Sequence, residues 1–461
     1  MSRKKSIDEW ALDYWLLQRY AKLCFRIYYG KITVINRQNI PHRQSVILAP
    51  NHQNALMDAM VLVCNMESQI VFLARADIFK GKFLIRILTF LNIMPVYRIR
   101  DGIENVKRND EVFGKTVQVL RNKLNPLGLF PEGNHGDKRR LRNLVKGLFR
   151  IALMAQENAG EGPEIKIIPI GFDYGHYQHF RSSLFVNIGK PIEVSEYYGL
   201  YKENQAQAIN LLKERYAGEV RKLMIDIHTE EYYATYMALR IIFNEEMRKW
   251  KDINDSSLNG RFQADKAMIE MLDQELATNP DTLSKLRQLV SGYEDGVKKA
   301  GLRDWVLHKE RYSYGGLLIR ALGMLILFPL FITGLISNYL PYWFVGSRIK
   351  GIKDPQFQSS FKYVIGMIAF PVWYLIIAGI LCFVPVPLWI KLMYFLLLLP
   401  TGIFAFNYFI RLKKLRSQFS YTTGVDRKIP DILKIKHLRG EILDTMHDLV
   451  RRQTAVNVYS R

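Results

Sequence analysis

The residues best equipped for chemistry are His52 and Asp58, with five residues between them. An imidazole is the side chain best suited to take a proton near neutral pH, and a carboxylate beside it fixes its tautomer and stabilises the imidazolium. The pair falls where a strand should end and a helix begin. Ser45 to Pro50 is a short apolar run closed by proline, which reads as a buried strand. Asp58 opens the apolar run Ala59 to Cys64, as an acidic residue at a helix start does. Alone the pair is a weak signal, because a loop histidine and a capping aspartate are the commoner meaning of such a pattern.

Other polar groups recur at the ends of apolar runs. Ile93 to Arg98 reads as a strand ending in Arg98, with Arg100 two residues on, and two guanidiniums so placed can grip a phosphate. Gly128 to Gly136 carries Phe130-Pro131-Glu132-Gly133, an apolar strand that stops at proline, presents a glutamate and enters a glycine turn whose amides can face an anion. Lys138, Arg139, Arg140, Arg142 and Lys146 follow directly, although a charge run is usually a solvated face. Helical patterns at 109–122 and 145–158 separate these runs from the strands 165–170 and 184–188. Strands alternating with helices over 31–191 predict an α/β fold with a mainly parallel sheet flanked by helices, its site at the strand ends.

No Gly-x-Ser-x-Gly elbow and no phosphate loop ending in Gly-Lys-Ser/Thr occurs, so a serine hydrolase or a nucleoside triphosphatase lacks its usual marks. His176 and His179 have no third ligand, and Cys24, Cys64 and Cys382 are far apart, so no metal site is expected.

Four blocks taken together resemble the glycerophosphate/lysophosphatidate acyltransferase (PlsC-like) family: His52 with Asp58, Asn92 to Arg98, Phe130 to Gly133, and Ile165 to Ile170 with its proline. The sequence departs from the family pattern in three places. Five residues rather than four separate the histidine from the aspartate, Asn92 stands where glycine is common, and Asn134-His135-Gly136 replaces Thr-Arg-Ser. The wider gap, with Tyr174-x-His176 and Phe180-Arg181-Ser182, is similar to the branch using glycerol 3-phosphate or dihydroxyacetone phosphate. The resemblance implies the glycerolipid acyltransferase fold, with His52 as general base oriented by Asp58. It implies Arg98, Arg100, Lys138, Arg139 and Lys146 around the acceptor phosphate, and Glu132 and Gly133 shaping the acceptor pocket. The donor would be acyl-CoA or acyl-carrier protein, the acceptor glycerol 3-phosphate or lysophosphatidate, and no cofactor is needed.

The whole chain of 461 residues carries a formal charge of +22, which calls for an anionic partner. Apolar segments late in the sequence make that partner an anionic membrane surface rather than nucleic acid. Residues 363–384 and 388–410, separated by Pro385-Val386-Pro387, each reach about 33 Å as helices and predict a transmembrane hairpin. Basic flanks at 348–362 and 411–416 place both its ends, and the catalytic domain, on the cytoplasmic side. Residues 321–345, with Pro329 and Pro341, read as a broken, re-entrant or interfacial segment, or else a third span. The organisation expected is an amphipathic helical segment at 1–30, an acyltransferase domain at 31–200, an α-helical extension at 201–312, a membrane region at 313–412 and a basic amphipathic tail at 413–461. A cleaved signal peptide is not expected at the charged start. A membrane-attached lipid-binding or scaffold protein is the alternative of another class, and the oligomeric state is left open.

Overall fold

The computed structural model describes residues 11–97, 109–121, 125–159 and 164–459. They form two compact units, one of residues 1–226 with 349–367, the other of 227–348 with 368–461.

In the first unit an amphipathic helix, α1 (Leu12–Tyr28), precedes β1 (Lys31–Ile35) and β2 (Ser45–Pro50). Next come α2 (Ala55–Asn65), β3 (Val71–Arg75), α3 (Lys82–Phe90), β4 (Ile93–Val96), α4 (Asn109–Arg121), β5 (Leu127–Gly128) and α5 (Gly147–Ala159). The strands β6 (Ile165–Tyr174), β7 (Ser183–Ile188) and β8 (Ile192–Glu193) lead to α6 (Tyr198–Glu203) and α7 (Gln205–Leu223). The eight strands make one sheet in the order β1-β7-β6-β2-β5-β3-β4, with β8 also on β6. Pairing is parallel except where β6 meets β7 and β8. The α/β class and mainly parallel sheet predicted above are therefore present.

Both sheet faces are covered, because alternate side chains of each strand point to opposite sides. Ile47 and Ala49 of β2 join Val71, Ile165 and Ile167 under α4, α5 and α7. Val46 and Leu48 join Phe72, Ile168 and Ile170 under α1 and α2. β2, apolar after Ser45, is thus buried on both faces at the centre of the sheet, and its end is held to one position.

The second unit is helical. It contains α8 (Tyr233–Ile242), α9 (Asn244–Trp250), α10 (Leu258–Thr278) and α11 (Pro280–Lys299). Three apolar helices follow, α12 (Tyr314–Ile349), α13 (Pro355–Phe383) and α14 (Leu388–Asp426), each long and apolar enough to cross a membrane. The segment expected to be broken, re-entrant or interfacial, or else a third span, is a continuous helix through Pro329 and Pro341, long and apolar enough to cross a membrane. Neighbouring helices supply partners there: Tyr394 bonds Ser337 at 2.7 Å, Tyr374 donates to Asn338 Oδ1 at 2.7 Å, and Trp373 donates to the Ser337 carbonyl at 2.8 Å. Gly334 lets the two backbones approach, since a Cβ would lie 2.2 Å from the Thr401 carbonyl oxygen. The last helix, α15 (Pro430–Tyr459), falls within the tail expected to be basic and amphipathic, and its apolar side meets protein. Its apolar residues Ile432, Ile435, Ile442 and Met446 are buried, and it packs on α11.

Candidate active site

β2 stops at Pro50 while its neighbour β6 runs on, and Asn51 bridges the difference. Its side chain accepts from the Phe172 amide at 2.7 Å and donates to the Phe172 carbonyl at 3.3 Å, imitating one more strand residue. This fixes the chain just before His52. The expected helix begins earlier than the apolar run suggested, at Ala55, so Asp58 lies inside its first turn, fully buried. Ala55 itself adopts φ +43°, the left-handed region.

Four groups bind the Asp58 carboxylate. Oδ2 accepts from the amides of Gln53 and Asn54, each at 2.7 Å, and meets His52 Nδ1 at 2.9 Å. Oδ1 accepts from the Tyr174 hydroxyl at 2.6 Å. The amides at a helix start lack partners within the helix, and here they hold an anion. With Nδ1 bonded to Asp58, Nε2 is the nitrogen left with a lone pair. The five-residue gap serves this geometry: the chain turns through Gln53 and Asn54, whose amides close onto the same oxygen as the imidazole.

Phe130 stacks on the His52 ring at 4.2 Å. Glu132 is 6% exposed and bridges two loops, accepting from the His52 amide at 2.7 Å and from the Arg142 amide at 3.2 Å. Burial outweighs those two donors and pushes its carboxyl from 4.5 up to about 7. Gly133 has φ +65°, and Cβ there would meet Val145 at 3.2 Å. The Glu132-Gly133 turn is thus locked to the histidine loop.

The basic run divides. Arg139 is committed to Asp173, at 2.7 Å, and to the Tyr174 carbonyl, which ties the run to the end of β6. Lys138 is part-buried and Lys146 exposed, just before α5. Arg98 and Arg100 lie outside the described residues. His176 and His179 stack on each other at 3.5 Å, and no metal-binding cluster occurs among the described residues.

A contribution that sequence reasoning missed comes from residues 349–367. His135 stands edge-on to His52 at 5.6 Å between ring centres, and its Nε2 meets Asp354 Oδ2 at 3.2 Å. Phe357 packs edge-on against the same ring at 4.8 Å. The Ser359 hydroxyl donates to Asn54 Oδ1, Lys362 to the Gln178 carbonyl at 2.7 Å, and Tyr363 to the Ala21 carbonyl at 2.7 Å. Burial lowers the His135 pKa while Asp354 opposes it. Tyr174 was also missed as a partner of Asp58: the strand expected to end at Ile170 runs on to Tyr174.

Known proteins resemble this chain over part of its length. Residues 31–173 match the acyltransferase family. Glycerol-3-phosphate O-acyltransferase 1 of Saccharomyces cerevisiae is 24% identical over 54% of this chain and 34% of its own length. Glycerol-3-phosphate O-acyltransferase 2 of the same yeast is 31% identical over 23% of this chain and 14% of its own. The 1-acyl-sn-glycerol-3-phosphate acyltransferase of Borreliella burgdorferi is 27% identical over 27% of this chain and 46% of its own. The match thus spans about a third or less of the length of the yeast relatives. The solved 1-acyl-sn-glycerophosphate acyltransferase PlsC of Thermotoga maritima aligns over 43% of this chain and 79% of its own, with 19% identity and a TM-score of 0.29. The chain carries, over residues 31–173, an acyltransferase domain related to those of glycerol 3-phosphate and 1-acylglycerol 3-phosphate acyltransferases.

Proposed function

We propose that the protein is a membrane-bound O-acyltransferase of phospholipid synthesis, moving a fatty acyl group from acyl-CoA or acyl-carrier protein to glycerol 3-phosphate. One observation carries the reading: a histidine held at Nδ1 by a buried carboxylate, in an acyltransferase domain whose yeast relatives are named for that acceptor. His52 Nε2 takes the proton of the acceptor hydroxyl as its oxygen attacks the thioester carbonyl. The tetrahedral intermediate collapses, the C–S bond breaks, and the imidazolium returns the proton to the departing thiolate. Asp58 stabilises the imidazolium between these events, so no enzyme nucleophile is needed. Glu132 and Gly133 shape the acceptor side, and Arg98, Arg100, Lys138 and Lys146 supply charge for the acceptor phosphate. Arg139 holds that run against β6. The domain works on the cytoplasmic face, without a cofactor.

The bacterial relative favours a second reading, with 1-acylglycerol 3-phosphate as acceptor. Purified protein with labelled acyl-CoA and a panel of glycerol 3-phosphate, lysophosphatidate and dihydroxyacetone phosphate separates the two. Turnover that survives unchanged in His52→Ala would sink the general-base role. A lack of turnover with every acceptor would favour a non-catalytic lipid-binding protein.

A further inference from the structure

At the end of α2 remote from Asp58, a cavity of about 340 Å³ opens between α1, β1 and that helix end. Its walls include Phe25 and Ile32, and its polar groups are Lys22, Arg26, Arg37 and Asn65. Among the described residues no carboxylate pairs with any of the three cations. Arg37 is oriented by Asn65, donating to its carbonyl and to Oδ1 at 3.3 and 3.4 Å. Burial, then Arg26, Arg19 and Arg37, lowers the Lys22 pKa, as expected of positive charges gathered without a counter-charge. Asn65 lies seven residues beyond Asp58 on α2, which sets this place about 10 Å along the helix from the catalytic aspartate.

The helix α1 also carries an exposed apolar stripe. Leu12, Leu16 and Leu23 lie on one stripe of α1 and are more than half exposed. Lys22 and Arg26 lie about 60 to 100° around the helix from that stripe, between it and the buried face. A phosphate with attached hydrocarbon matches this arrangement, the anion among the cations and the chains along the leucines. We propose that this cavity is a second anion site that binds the phosphate of a lipid headgroup. Free phosphate shares the chemistry and is the other source to be tested.

The lowered pKa makes Lys22 a reporter, since more of it is the reactive free amine at a given pH. The full-length protein in detergent is treated near pH 8 with an amine-acetylating reagent, and labelling is followed by peptide mass spectrometry. The arms are dioctanoyl phosphatidate, dioctanoylglycerol and inorganic phosphate, with the exposed Lys222 as internal reference. Phosphatidate at ten times its Kd should slow Lys22 about tenfold, while dioctanoylglycerol leaves it unchanged. Equal protection by inorganic phosphate at the same concentration would assign the site to free phosphate and overturn the lipid source. Protection should disappear in R26Q/R37Q, both at exposed positions, and persist in H52A, which separates this site from the acyl-transfer reading. If Lys22 labels at the same rate in every arm, or Lys222 is slowed equally, the proposal fails.

Discussion

At the scale of single residues, Asp58 is tightly constrained, with three hydrogen bonds and the imidazole on two oxygens. We expect His52→Ala to lower kcat by about 10² to 10⁴, the usual worth of a general base, with little change in acceptor binding by calorimetry. Tyr174→Phe removes one charge-assisted hydrogen bond from Asp58 and should cost roughly tenfold in kcat with KM unchanged. A larger effect on KM than on kcat would instead make Tyr174 part of the substrate pocket. Glu132 makes a prediction about stability. Its folded pKa, about 7, lies above the ordinary 4.5, so the folded protein binds the extra proton. The linked stabilisation is fully present below about pH 4.5 and is lost as pH rises through about 7, on the order of a few kcal/mol. Glu132→Gln should flatten that slope in thermal unfolding. It should also lower stability throughout, because an amide nitrogen then faces a backbone N–H.

At the scale of elements, much of the site was legible because strand ends announce themselves. An apolar run closed by Pro50 or Pro131 and followed by polar residues fixes where a buried strand stops, and β2 ends where that run does. The helix after His52 was read three residues late. Asp58 resembles a first-turn residue of the apolar run, whereas the true start at Ala55 depends on amides closing onto a buried carboxylate. Tyr174 was read four residues beyond the end of its strand, which in fact runs to it, and nothing local says that its hydroxyl points at Asp58. The first turns of α13 left no trace at all, since pairing His135 with Asp354 is set by tertiary packing across 219 residues. That contact is testable. Asp354→Asn and Ser359→Ala should loosen the loop around His135 and Asn54, read as faster amide hydrogen exchange there, with kcat/KM down by roughly tenfold for the pair. Unchanged exchange in both variants would make the segment a passive neighbour.

At the scale of the whole molecule, the positive charge and the three long apolar helices belong to one account, a protein with a membrane region and basic flanks. The helical tail illustrates the limit of such patterns. Its amphipathic pattern was real, but the partner of the apolar face is α11, and periodicity does not distinguish lipid from protein as the covering surface. For the hairpin of α13 and α14, we expect single cysteines at Lys350 and Lys414 to be labelled from the face that carries the acyltransferase domain. A cysteine at Val386 should be labelled from the opposite face. Labelling of all three from one side would mean that the hairpin does not cross.

The return of residues 349–367 to the first unit also orders events in time. Roughly 120 residues separate the two pieces of that unit along the chain, and at about 5 to 20 residues per second a ribosome needs on the order of ten seconds to make them. The sheet, His52 and Asp58 are therefore synthesised well before Asp354, Ser359 and Tyr363 arrive. The late piece is the beginning of α13, which continues as one of the apolar helices. A nascent chain halted before Ile349 should accordingly have its catalytic pair but no finished site, so that maturation of the enzyme waits for the helix that follows it.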